Sequence, residues 1–248
     1  MPDELILLSL VIAFPFIGSF LGVVIMRSGR ETILGRSRCD TCGHTLGWHD
    51  LIPLLSWVAN WGRCRYCHAR TGFFYPAVEL SAAVPVIWAA TIQQGWLLIV
   101  SAVFGWVLIA LAWIDARTQR LPDALTLPLA VGGLAASAIY EPAAVLDHVI
   151  GAGAGFAAFW GLGLVYRRLR GREGLGLGDA KLVAGLGAWV SWEGLPTVIF
   201  IAALAGIVLA AARALLFGKE TLQGRLAFGP PLALAGWIVW LYGPLVPS

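Results

Sequence analysis

Four cysteines and two aspartates are the residues of this chain whose types and spacing point to chemistry. The cysteines stand as Cys39-Asp40-Thr41-Cys42 and Cys64-Arg65-Tyr66-Cys67, with 21 residues between the pairs. Two such knuckles make a tetrahedral thiolate site for zinc, each turn supplying two ligands and the loop between them closing the site. The interval is one residue beyond the usual zinc-ribbon range of about 15–20. In a reducing compartment these thiolates bind metal rather than form disulfides. A closed four-cysteine site is structural, so zinc here is expected to fold a small module; a redox-active or metal-free dithiol is the alternative. His44, His49 and His68 lie close enough in sequence to replace a cysteine as ligand, or to be ordinary surface histidines. His148 is assigned no role.

The aspartates are Asp115, which ends the apolar run Leu108 to Ile114, and Asp179, which follows the glycine-rich stretch Gly174 to Gly178. A carboxylate in a membrane span is costly, about 2.5–3.5 kcal/mol at the bilayer centre on insertion scales, so the few present mark function or pairing. If the two face each other they cannot both ionise readily, and one shared proton divides the roles. The ionised member then activates water as a general base, and its protonated partner polarises a scissile carbonyl. The ordinary role of an aspartate at a helix end is a cap. Leu121-Pro122-Asp123-Ala124 reads that way, with Asp123 as the N-cap of a following helix.

The elements that must carry these residues are membrane helices. Of 248 residues 59% are hydrophobic, only 12% are charged and 30 are glycine. Charged residues normally make up about a quarter of a globular protein, so an ordinary soluble domain, a disordered chain, collagen and a disulfide-stapled secreted fold are all excluded. Apolar runs approaching the roughly 20 residues that cross a bilayer are expected over residues 5–26, 76–94, 96–114, 124–140, 148–166, 181–192, 195–217 and 230–246. The sixth is short, but merging it with the seventh would move Arg213, Lys219 and Arg225 to the wrong side. With eight passages every Lys and Arg falls on one face, and Asp3, Glu4, Glu141, Asp147 and Glu193 on the other. The positive-inside rule then puts the basic loops in the cytoplasm and both termini outside it. The acidic start and long first apolar run argue for a retained span rather than a signal peptide. Recurrent glycines, as in Gly18 to Gly22 and Gly151 to Gly155, suit close helix packing in lipid. The fold expected is all-α and polytopic, about eight transmembrane helices with a small cytoplasmic four-cysteine zinc module between the first two. Residues 1–26 form the first helix, 27–75 the cysteine module and 76–248 a seven-helix membrane domain.

Taken together, these motifs resemble the type IV prepilin peptidases, membrane aspartyl proteases of the GxGD class. The resemblance is carried by Gly18-Ser19-Phe20-Leu21, by the paired cysteines with Pro53, Ser56-Trp57 and Gly62-Arg63 between them, and by Tyr75 to Leu80. It continues through Ile114-Asp115 with Leu121-Pro122-Asp123, Gly176-Leu177-Gly178-Asp179-Ala180-Lys181, and Phe228-Gly229-Pro230. The resemblance implies cleavage of the basic leader from type IV prepilins and type II secretion pseudopilins at the cytoplasmic face of a bacterial inner membrane. It implies Asp115 and Asp179 as catalysts, with Gly176, Gly178, Lys181, Pro122, Asp123 and Gly62 as supporting residues. It further implies N-methylation of the new N-terminus, with S-adenosyl-L-methionine as methyl donor, in the cysteine module. The chain departs from the family pattern at Gly22 and Met26, where polar residues are usual; this bears on methylation rather than on proteolysis.

Partners expected are prepilin and pseudopilin substrates and the lipid bilayer, with no nucleic acid. Glu79, Asp123 and Glu173 are candidates to meet leader charges, with solvation or structural pairing as the ordinary role of each. The cytoplasmic arginines are candidates for anionic lipid headgroups. Two other readings stay open: a peptidase whose zinc module never methylates, and, from a different class, a cation or metal transporter using the two aspartates.

Overall fold

The computed structural model describes residues 2–29, 35–171, 176–218 and 226–245. Arg30, Arg172, Glu173, Gly174, Leu175, Lys219 and Arg225, which enter the charge and motif arguments above, lie outside them. The described chain is helical: α1 (Pro2–Arg27), α2 (Leu55–Ala59), α3 (Phe74–Ser81), α4 (Ala83–Ala90), α5 (Gly95–Thr118), α6 (Asp123–Tyr140), α7 (Val145–Arg170), α8 (Leu177–Phe217) and α9 (Gly229–Tyr242). Among the described residues extended pairing is limited to two isolated bridges, Arg38 with Thr45 and Arg63 with Arg70.

Five of these helices are long and apolar enough to cross a membrane: α1, α5, α6, α7 with the short turn before it, and α8. The remaining passages expected from the sequence fall on shorter apolar helices, α3 with α4, and α9 of 14 residues. Expected passages six and seven both fall within the 41 residues of α8, but α8 is not one rod. Ser191 has φ 61 and ψ −179, which breaks the helical path.

Contacts along α9 show that the chain turns back at this break. Before it, Leu186 lies against Gly236 and the Trp189 ring against Trp240, so residues 177–190 run in the same direction as α9. After it, Gly194 packs on Val239 and Gly206 meets Phe228, so the chain from 194 to 206 runs the opposite way along α9. Residues 181–192, expected as a short sixth passage, fall on the first arm of this helical hairpin, up to the break at Ser191.

The chain divides into two compact units, Met1–Ala110 and Leu111–Ser248. In the first, α1 and α3 run antiparallel, with Gly22 against Tyr75 and Gly18 against Glu79, and the Trp106 indole N–H donates to the Ala82 carbonyl over 2.8 Å. In the second, the first arm of α8 is central. It is flanked by α6, through the Trp189 indole N–H donating to the Leu129 carbonyl over 2.8 Å, and by α7, where Gly151 and Gly187 meet backbone to backbone. A methyl group at Gly151 would lie 2.7 Å from the Gly187 carbonyl oxygen, the close approach that small residues permit in membrane helices.

Candidate active site and metal centre

Asp115 and Asp179 both belong to the second unit. Asp115 is in the last turns of α5, with Ile114 before it fully buried. The helix ends just after it, where Gln119 takes a left-handed φ of 53 and donates its N–H to the Asp115 carbonyl over 2.8 Å. Asp115 itself is only 5% exposed. Its Oδ2 accepts the N–H of Gly229 over 2.7 Å. That donor is available because Gly229 opens α9, and the first N–H groups of a helix have no partner within it. The next two residues, Pro230 and Pro231, carry no N–H at all. A methyl at position 229 would stand 2.6 Å from the Asp115 Oδ2. A glycine here is therefore a matter of space, not of backbone angle.

Asp179 sits in the first turn of α8, and its Oδ2 accepts the N–H of Gly176 over 3.2 Å. It caps its own helix in this way while leaving its other oxygen outside that bond. The turn before it is packed on the loop that follows Asp115: a Cβ at Gly178 would be 3.1 Å from the Leu121 Cβ. Lys181, one residue beyond Ala180, donates to Asp123 over 2.5 Å. These two contacts bring the turn that carries Asp179 against the segment that follows Asp115. A helix start and a helix end, 64 positions apart in the sequence, are thus joined by two contacts: Gly178 on Leu121 and Lys181 on Asp123.

The N-cap reading of Asp123 gives way to a different role. Pro122 occupies the cap of α6, without a side-chain cap bond, and Asp123 is already the first helical residue. Its carboxylate reaches across to Lys181 instead. Gly229 is the participant that sequence reasoning placed in a motif without a function; its signal was the Gly-Pro-Pro run at a helix start, which leaves a single unpaired N–H.

In the first unit, the two cysteine knuckles fold alike. Cys39 donates its N–H to the His44 carbonyl and Gly43 donates back to Cys39; Cys64 donates to Ala69 and His68 donates back to Cys64. The fifth position of each turn is left-handed, Gly43 at φ 70 and His68 at φ 57. The four sulfurs lie within 4.8 Å of one another, with Cys39 and Cys67 3.9 Å apart. Thiolates at 2.3 Å from a tetrahedral zinc are separated by about 3.8 Å, so the residues fit the metal. Among the described residues the cluster consists of Cys39, Cys42, Cys64 and Cys67 with no histidine. His44 instead lies over the Tyr66 ring and His49 beside Trp48.

The sulfurs are electrostatically unequal. The backbone N–H of Cys42, then that of Thr41, point at the Cys39 sulfur and bring its thiol down to about 6. At Cys67 the N–H of Ala69 works in the same sense, but desolvation and the other three sulfurs outweigh it and push the thiol up to about 11. Crowded sulfurs that repel a further negative charge are the setting that a dication relieves. Gly62 lies between the knuckles at φ 64, where a Cβ would strike the Trp57 ring at 2.9 Å. Glu79 is buried at 5% exposure and accepts the N–H of Leu54 over 2.9 Å, the structural pairing rather than a free charge for a substrate. His148, also buried, is bonded through Nδ1 to the Ala188 carbonyl at 3.0 Å near the hairpin turn.

Comparison with known proteins gives two family matches. Residues 12–93 match the Bacterial Peptidase A24 N-terminal domain and residues 102–211 the Type IV leader peptidase family. A prepilin leader peptidase/N-methyltransferase of Aeromonas salmonicida is 42% identical over 209 residues, covering 84% of this chain and 72% of that protein. One from Dickeya chrysanthemi is 38% identical over 257 residues, covering 93% and 90%. One from Pseudomonas aeruginosa is 39% identical over 216 residues, covering 85% and 73%. No solved structure matches the chain.

Proposed function

Because the chain belongs to the type IV leader peptidase family, we propose that it cleaves the leader from type IV prepilins and pseudopilins, with Asp115 and Asp179 as the catalytic pair. The observation that supports this reading is the packing of the Asp179 turn onto the loop after Asp115, through Gly178 on Leu121 and Lys181 on Asp123. A single proton shared by the pair leaves one member able to take a proton from water and the other able to donate to the scissile carbonyl oxygen. Asp115 is held through Oδ2 by Gly229, and Asp179 through Oδ2 by Gly176; in this proposal the other oxygen of each acts in the reaction.

The substrate chemistry agrees with this placement. A prepilin joins an apolar membrane helix to a cationic leader, so its scissile bond lies at a membrane face. In the proposed topology that face is the cytoplasmic side of a bacterial inner membrane, where the basic loops collect, and both termini are periplasmic. Residues 1–26 act as the first membrane helix, 27–75 as the methylation module and 76–248 as the peptidase domain. Zinc is held by Cys39, Cys42, Cys64 and Cys67, where it supplies a folded scaffold. S-adenosyl-L-methionine supplies the methyl group to the new N-terminal amine. A peptidase that does not methylate is the second reading, favoured by Gly22 and Met26 at the approach to the module.

The test is a prepilin incubated with purified protein in lipid nanodiscs, with and without S-adenosyl-L-methionine, and read by mass spectrometry. Asp115→Asn and Asp179→Asn are expected to lower turnover by about 10²–10⁴-fold each. Turnover retained in either variant removes that residue from the mechanism. A product that stays unmethylated with the methyl donor present establishes the second reading.

A further inference from the structure

Residues 51–62 contain no charged side chain, although they lie between two polar metal knuckles. Folding buries Pro53 and partly covers Ile52, Leu54 and Trp57, but leaves three large apolar groups outside: Leu55 is 69% exposed, Val58 63% and Trp61 88%. Trp48, just before them, is exposed as well. A module surrounded by water would turn such side chains inward, since the hydrophobic effect is the main force that assembles it.

Much of the backbone of the same stretch is paired within the protein. The N–H groups of Ser56, Val58, Asn60 and Gly62 all donate to carbonyls of the stretch itself. Leu54 has a left-handed φ of 59, and its N–H is taken up by the buried Glu79 carboxylate. Polar backbone that finds its partners without water is what membrane depth demands of any non-helical segment.

Glu79 also sets that depth. Gly18 of α1 packs on the Glu79 backbone, and Gly18 lies nine residues before Arg27 at the end of the helix. At 1.5 Å per residue this is about 13 Å. With Arg27 at the headgroups, Glu79 and Leu54 lie where the polar layer, roughly 5–8 Å thick on each side, has given way to acyl chains. The helices of the same unit also expose large apolar side chains, Phe16 and Phe20 on α1 and Leu80 on α3.

We propose that residues 51–62 form a re-entrant segment of the cysteine module, with Leu55, Val58 and Trp61 in contact with acyl chains and Glu79 as the buried acceptor that holds the segment at that depth. The partner is the lipid bilayer. Trp61, at the end of the segment and next to Gly62 and the second knuckle, occupies the boundary position that tryptophan favours. The metal site is thereby held against the membrane surface instead of hanging free on a tether. This inference rests on the first unit alone and does not depend on the proposed enzyme activity.

The test uses the full chain in phosphatidylcholine–phosphatidylglycerol vesicles containing a phosphatidylcholine with a photoactivatable diazirine in its acyl chain. After irradiation, adducts are mapped by mass spectrometry, and hydroxyl-radical footprinting of a parallel sample reports contact with water. Leu55, Val58 and Trp61 are expected to take lipid adducts within about threefold of those on Phe16 and Phe20, while Trp61 is oxidised by radicals far less than an exposed tryptophan in water. Adducts on Phe16 and Phe20 with none on residues 55–61 overturn the proposal. In that case radical oxidation of Trp61 marks a water-facing surface, and protection from both reagents marks one covered by protein.

Discussion

The N–H of Gly229 donates to the Oδ2 of Asp115 over 2.7 Å, and no side chain fits between them. The bond joins the start of the last described helix to the buried Asp115 carboxylate, and the space it leaves is smaller than a methyl group. Gly229→Ala is expected to push Asp115 aside by a fraction of an ångström to an ångström, lowering kcat for prepilin cleavage about 10–100-fold with KM little changed. Steady-state cleavage assays check this, with a thermal melt to show that the variant is folded. Full activity in Gly229→Ala would show that the bond does not position the carboxylate.

Asp123 and Lys181 tie the two aspartate motifs together at their exposed edge. A surface pair of this kind contributes about 0–1 kcal/mol to stability, so its loss is expected to show in rate more than in melting temperature. Asp123→Ala and Lys181→Ala should each lower cleavage about 3–10-fold by loosening the spacing of Asp115 and Asp179. The exchanged pair, Asp123→Lys with Lys181→Asp, should recover most of that loss. A double variant no better than either single one would deny the pair its positioning role.

One zinc ion per chain is expected by elemental analysis of purified protein, lost in Cys42→Ser and Cys64→Ser variants. Because the thiolates must shed protons to bind, affinity rises with pH, and chelation succeeds more readily as pH falls. Metal removal should raise amide hydrogen exchange across both knuckles. In the proposed function it should abolish methylation and leave at least about a tenth of the cleavage activity, since the aspartates belong to the other unit. Equal loss of both activities would show that cleavage also needs the folded module.

Gly151 and Gly187 let α7 and the first arm of α8 touch through their backbones, and neither position has room for a side chain. Gly187→Val is expected to lower the melting temperature in detergent by several degrees, the result of overpacking that costs about 1–3 kcal/mol. A melting curve indistinguishable from wild type would mean that the helices separate at this point without cost.

Glu79 accepts from Leu54 as a buried carboxylate. Glu79→Gln keeps an acceptor oxygen and should leave exchange at the Leu54 amide close to wild type, whereas Glu79→Ala should speed it about tenfold or more by leaving the N–H without its partner. Hydrogen exchange of the full chain in nanodiscs distinguishes the two variants; equal rates would assign the protection to burial alone.

Much of the architecture is written in local sequence. Runs of apolar residues dictate helices wherever they fall, because backbone groups in lipid must be satisfied within their own segment. The CxxC spacing dictates the knuckles, because two thiolates on one turn need only local geometry. The charge pattern asks for separate elements on either side of about residue 193, and the break at Ser191 divides α8 there. What the sequence could not decide is where distant segments meet. That Ser191 turns α8 back on itself, that Asp123 reaches Lys181 instead of capping its helix, and that Gly229 offers its N–H to Asp115 all depend on packing between helices far apart in the chain. Such contacts are set by shape, and a residue's type limits its possible partners without choosing among them.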